Sequence, residues 1–477
     1  MANLSHGINN TEKNTSNSAI AEVDTGVTFA VGTAPVHTAG GAANKIVMAN
    51  SYEEAVEALG YSDDWNMFTL CEVMFNHFKL FMTGPVIFVN VLDPAVHKKS
   101  VSSASVSYIG GKALLPVTAI NDSTLVVKSG NTSLVKDTDY VVSYTSENLV
   151  ISGVSGGAIT SDTTSLTVEY TAVDPSMVDK DDIIGGVDVE SGRKTGFELI
   201  GDVFTAFHII PELLIAPGYS HIPEVAAVMG AKAMPNGING LFKGLAISDT
   251  DTSAAKKYSD VPEWKKNKNI IGTNQVLCFP MVKLGDKTFH LSTQLAALIA
   301  VTDSNNGGVP SNSPSNKALK CEAAVLADGT ELNINLNEAD YLNKNGIVTA
   351  LNFINGFVAW GNTTACFPDC TDIKDYFINV NRMFSYLERI TVMSYWSRLD
   401  EKMTRKLIDS VVDSINIWLN GLTADGDLLG GRVEYRAEEN PQSYYLEGKA
   451  VFHYFIAIPT PAQELEFIYE FDTSYIE

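Results

Sequence analysis

The feature that most constrains this chain is an interruption. Residues 85–92 read Pro-Val-Ile-Phe-Val-Asn-Val-Leu, a near-continuous apolar run of the kind buried on both faces of an α/β sheet. A few residues later the composition changes. Residues 99–187 contain no Trp, Cys or His and are rich in Ser, Thr, Val and Gly. Short strands are expected there at 101–108, 124–128, 140–144, 149–152 and 165–173, separated by turn pairs such as Gly130-Asn131 and Gly156-Gly157. That spacing predicts a small β-sandwich or barrel. After it the α/β pattern resumes, with apolar strands at 213–216, 240–248 and 275–282 between helices at 197–208, 223–234 and 291–301. One α/β domain therefore has to tolerate an all-β domain inserted into it.

The expected organisation follows. Residues 1–25 form a polar, Asn/Ser/Thr-rich arm without helical periodicity. Residues 26–98 plus 188–343 form the layered α/β domain, and 99–187 the inserted β-sandwich. Residues 344–477 form a C-terminal domain with its own helices and strands. A chain of 477 residues exceeds the roughly 250–300 at which a single core stops growing, so several domains are required. Within the last domain, 375–419 reads mostly as helix, with an apolar stripe at Leu407, Ile408, Val411, Val412, Ile415, Trp418 and Leu419 and a stop at Gly421. Strands are expected at 431–438 and 449–458. Near the end, residues 464–472 alternate: Leu465, Phe467, Tyr469 and Phe471 share one face, and Glu464, Glu466, Glu470 and Asp472 the other. An aromatic strand at a free terminus needs an edge to pair with, in its own chain or a neighbour's.

The net charge of −23 argues against nucleic acid as a main partner, because phosphate binding needs clustered Lys and Arg. No apolar run reaches the roughly 20 residues that span a bilayer. Five scattered cysteines fit a reducing compartment. Little chemistry is visible. Residues 185–195 distantly resemble a phosphate loop, but five residues separate Gly186 from Gly192, and Arg193 precedes Lys194. Cys366 and Cys370, four apart, lack a second ligand pair for zinc and read as two reduced thiols. Ser220-His221 has no nucleophile elbow around it. No catalytic, cofactor-binding or metal residues are assigned, and the chain is not expected to be an enzyme. On these features alone a non-enzymatic scaffold that uses its β-insert for recognition is an alternative.

A set of segments in order along the chain carries a family resemblance. They are 27–35 (Val-Thr-Phe-Ala-Val-Gly-Thr-Ala-Pro), 213–219 (Leu-Leu-Ile-Ala-Pro-Gly-Tyr) and 311–316 (Ser-Asn-Ser-Pro-Ser-Asn). Further on come 356–364 (Gly-Phe-Val-Ala-Trp-Gly-Asn-Thr-Thr), 376–384 (Tyr-Phe-Ile-Asn-Val-Asn-Arg-Met-Phe), 431–441 and 448–453. Together they resemble the tail sheath protein of contractile phage tails and related injection machines. Thr363-Thr364 stands where that resemblance leads one to expect Arg-Thr.

The resemblance implies a structural subunit with no cofactor and no membrane insertion. It would assemble in a bacterial host cytoplasm into a virion tail or phage-tail-like particle. Subunits would stack as hexameric rings around a tail tube in a metastable extended state, and contract to drive the tube through a target envelope. Partners would be further copies, the tube protein, and baseplate and tail terminator proteins. Neighbours would be tied by exchanged strands, for which His6, Gly7 and Ile8 of the arm and Leu465, Phe467, Tyr469 and Phe471 of the terminal strand are the candidates. Lys402, Arg405 and Lys406 are the tube-facing candidates.

Overall fold

The structure, a computed structural model, describes residues 20–21, 23–160, 162–354 and 356–476. The central element is a nine-stranded sheet. Six neighbouring strands run parallel: Ile347–Phe353, Gln275–Phe279, Leu245–Asp249, Leu213–Ile215, Thr28–Gly32 and Val86–Asn90. Antiparallel strands close both edges, Ile46–Ala49 on one side, Gly356–Trp360 and Lys317–Ala318 on the other. Five of the six parallel strands, those between Thr28 and Phe279, are buried along their whole length, which explains why they read as continuous apolar runs. Helix Leu291–Ser304 is buried on nearly every side, so it too is apolar without a clear stripe.

The insert is a seven-stranded antiparallel sheet around its own core of Leu115, Val127, Leu149, Ile151, Leu166 and Val168. Strand Lys112–Pro116 within it had no sequence expectation; its pattern is short and ends in Pro. Its first and last strands pair with each other, Lys98 opposite Val173. The two points where the chain enters and leaves are thus neighbours, so the α/β domain accommodates the insert without spreading its strands.

Several expectations need correction. The predicted single strand 275–282 is two strands in different sheets, because Pro280 between them has no N–H for the ladder. The boundary expected at residue 344 does not separate sheets: Ile347–Phe353 and Gly356–Trp360 belong to the nine-stranded one. Residues 23–386 with 460–476 form one compact unit, and 387–459 with Ile20 and Ala21 form another, the division falling inside helix Ile378–Tyr395. Gly421 does not stop its helix, which runs on to Asp425 and ends at Gly426 in the left-handed conformation. Cys366 and Cys370 are joined as a disulfide rather than reduced. The turn between them, in which Cys370 N–H donates to the Cys366 carbonyl, brings their Cα atoms to 5.6 Å, within disulfide span.

The larger unit is held by one buried charge cluster. Arg382, 2 % exposed, donates from Nε to Glu212 at 2.8 Å and from its terminal nitrogens to both Asp303 oxygens, one at 2.9 Å. Glu212 also accepts from the Gly26 backbone at 2.9 Å. Replacing Arg382 with Met leaves two buried carboxylates without their cation, and is expected to cost about 3–5 kcal/mol, read as a lower urea midpoint at unchanged slope.

Candidate functional site

Two features stand out as unfinished surfaces, one in each unit. The first is the end of the chain. After strand His453–Ala457 the sequence Pro459-Thr460-Pro461 offers only one N–H, so no ladder can continue through it. From Thr460 to Asp472 no strand forms among the described residues. This corrects the expected strand at 464–472. Alternation fixes which side chains share a face, but a ladder needs a partner edge, and among the described residues the segment has none. Leu465, Phe467, Ile468, Tyr469 and Phe471 are all exposed, Tyr469 by 92 %. A run of large apolar side chains left in water at this density marks an interaction surface. The four carboxylates between them keep the segment solvated.

The second is the sheet of the smaller unit. It has only two strands, Gly430–Glu434 and His453–Ala457, antiparallel, with Val433 opposite Tyr454. A two-stranded sheet is marginal by itself. Here it lies on helix Arg405–Asp425, with Gly431 packed close to Leu419. The edges differ. At Gly430–Glu434 the outward amide and carbonyl of Val433 are both taken by the Asn416 side chain, at 2.8 and 3.1 Å. Along His453–Ala457 no side chain seals the outer backbone among the described residues. Arg432 stacks on Phe455, 4.0 Å to the ring centroid, and His453 contacts Glu439 at 2.8 Å, so the strand is held in place by its neighbours. Asn416 was missed in the sequence. Its signal is a single amide one residue past Ile415, at the margin of the apolar stripe.

Lys402, Arg405 and Lys406 are exposed and adjacent, at the start of helix Arg405–Asp425, whose N-terminus Thr404 caps by accepting from Leu407 N–H at 3.2 Å. Cations there oppose the helix dipole, so local helix stability does not account for them. Arg405 pairs with Asp409 at 3.2 Å across exposed surface. His6, Gly7 and Ile8 lie outside the described residues. Among the described residues no His/Cys/Asp/Glu group is arranged to hold a metal, and no helix is long and apolar enough to cross a membrane.

Because the tail aromatics touch so little, Phe467→Ser with Phe471→Ser should leave monomer stability within about 0.5 kcal/mol of the parent in thermal unfolding. Loss of more than that would mean the tail packs at home.

No protein-family model matches the chain. Along its whole length it is 28 % identical to the tail sheath protein of Burkholderia phage BcepMu, over 493 aligned residues that cover 98 % of that protein. It is 26 % identical, over 60 % of its length and 71 % of the relative's, to a putative prophage major tail sheath protein of Pseudomonas aeruginosa strain UCBPP-PA14. Its fold matches the contracted helical sheath of the anti-feeding prophage, with a TM-score of 0.59 over 99 % of this chain and 100 % of that one at 13 % identity. It also matches the sheath of an extracellular contractile injection system, PVC, in its contracted state, with a TM-score of 0.56, 13 % identity and 99 % of both chains covered. Full-length similarity and the shared fold agree: along its whole length the chain resembles contractile tail sheath proteins, and it has the fold of a contractile sheath subunit.

Proposed function

We propose that copies of this chain link to one another by strand addition, the exposed 464–472 segment of one copy pairing along the open edge of His453–Ala457 in a neighbour. The single observation that carries this is the pairing of deficits: a period-2 aromatic segment without an edge, and a two-stranded sheet sealed by Asn416 on one side only. Backbone hydrogen bonds give such a joint its strength, and alternate side chains its specificity. The N-terminal segment, with His6, Gly7 and Ile8, adds to the same intermolecular sheet, its reach set by roughly 3.3 Å per residue.

On this reading the subunits polymerise as stacked hexameric rings around a tail tube, in a metastable extended state, and contraction drives the tube through a target envelope. The baseplate triggers the change and a terminator caps the far end, in a phage tail or tail-like particle assembled in the host cytoplasm. Stored conformational energy, with no catalysis, does the work. Joints made of backbone pairing on extended segments let subunits swing apart without separating. Lys402, Arg405 and Lys406 face the tube. Single exposed contacts contribute at most about 1 kcal/mol each, weak enough to release yet additive over many subunits.

Removal of residues 462–477 should give a folded chain that forms no cylinders by negative-stain electron microscopy. Normal cylinders from the truncated chain would remove the strand-addition reading. Separately, reversing Lys402, Arg405 and Lys406 to Glu should leave sheath assembly intact but abolish its co-sedimentation with tubes; unchanged co-assembly refutes the tube-facing assignment alone.

A further inference from the structure

The larger unit contains a cavity of about 1280 Å³ that the sheath function does not use. It opens at the carboxyl ends of the parallel strands, where Gly218 follows Leu213–Ile215 and Asp249 ends Leu245–Asp249. The strand order reverses here. From Thr28–Gly32 the chain first builds outward through Val86–Asn90, then returns to add Leu213–Ile215 and its successors on the other side. Open parallel sheets bind ligands at this kind of reversal, because the connecting loops part there. The insert supplies the opposite wall, including Val117 and Glu147.

The lining has a one-sided charge. It includes eight carboxylates, one lysine and two histidines. Lys287 is already committed, 2.6 Å from Asp63 and over the Trp65 ring at 4.4 Å. It shows how this cavity holds an ammonium: a carboxylate on one side, an aromatic face on the other. His290 sits against Glu72 at 2.8 Å; burial opposes its charge, but the Glu72 carboxylate outweighs that and raises its pKa to about 9, so the two cancel. Burial lowers the His221 pKa, so it adds no positive charge at neutral pH. The floor is preset: Asp249 accepts from the Ser220 hydroxyl at 3.0 Å and from the Ser292 amide at 2.9 Å.

Acceptors remain unspent. Asp286 and Glu147 form no ion pair among the described residues, and Asp251 accepts from Ser253 through one oxygen. Thr250 lies on the same wall, 5 % exposed, with a hydroxyl that has no hydrogen-bond partner. A buried hydroxyl left unpaired costs free energy that a ligand's donor or acceptor would recover. Low-dielectric walls of one sign concentrate the opposite charge. No three of the described side chains converge as metal ligands, which turns the reading away from a divalent ion.

We propose that this cavity binds an organic cation, an ammonium or guanidinium group presented either by a free polyamine or by a lysine or arginine side chain of a bound protein. The inference is independent of strand addition. The test uses the full chain, with spermidine as probe. Isothermal titration should show saturable, salt-sensitive binding and a raised melting temperature, with magnesium at equal ionic strength giving neither. Binding should weaken at least about tenfold in the combined variant Asp251→Asn, Asp286→Asn, Glu147→Gln, and measurably in Asp286→Asn alone, which keeps the test alive if the triple variant misfolds. If spermidine does not bind, a zero-length carboxyl–amine cross-link from Glu147, Asp251 or Asp286 to a lysine of another polypeptide, found by mass spectrometry, assigns the cation to a side chain. Absence of both binding and cross-link overturns the proposal, as does equal binding by magnesium or by the variants.

Discussion

The buried contact between Arg382, Glu212 and Asp303 is the constraint on which the larger unit depends. Glu212 stands at the head of strand Leu213–Ile215, Asp303 near the end of helix Leu291–Ser304, and Arg382 in helix Ile378–Tyr395. The three come from points far apart in the sequence, and Glu212 also holds Gly26, where the first strand begins. A buried guanidinium is tolerated only when its donors are met, and this one has carboxylates on both sides. The geometry therefore demands that the first strand, the returning strand and both helices be in place together. The insert places no demand on this arrangement, since it leaves and re-enters through paired residues.

How far the sequence could be read follows from what each element depends on. The parallel strands were legible because burial on both faces forces an apolar run, which local composition records. The strands at 140–144 and 165–173 were placed at their observed bounds, because alternation and turn residues are also local. Gly421 misled because a glycine stops a helix only if the chain must turn there, and the apolar stripe carries the helix past it to Leu422. The disulfide was missed because spacing alone does not reveal a turn that brings two Cα atoms together. The boundary expected at residue 344 missed that Ile347–Phe353 joins the main sheet between Gln275–Phe279 and Gly356–Trp360, a pairing that no local pattern records.

The candidate site divides in the same way. The aromatic face of the last segment was visible in the sequence, and so was its lack of a partner in spirit: the pattern asks for an edge without naming one. Invisible was the cap on Val433, since it depends on a single amide on a helix that meets the strand only in three dimensions. The acidic cavity was hidden for a similar reason. Its carboxylates come from loops and element ends spread between residues 63 and 328, within an overall acidic background.

The amide of Asn416 has a consequence for architecture. If copies join by the strand addition proposed above, the Asn416 contacts to Val433 on one border make each copy asymmetric, with one donor tail and one receptor border. Contacts of that kind are heterologous and do not close on themselves in pairs, so they propagate with a direction. A polymer built from them has unlike ends, one presenting empty borders and the other unmatched tails. Each end is then chemically distinct, and a factor that nucleates growth at one cannot be confused with a factor that halts it at the other.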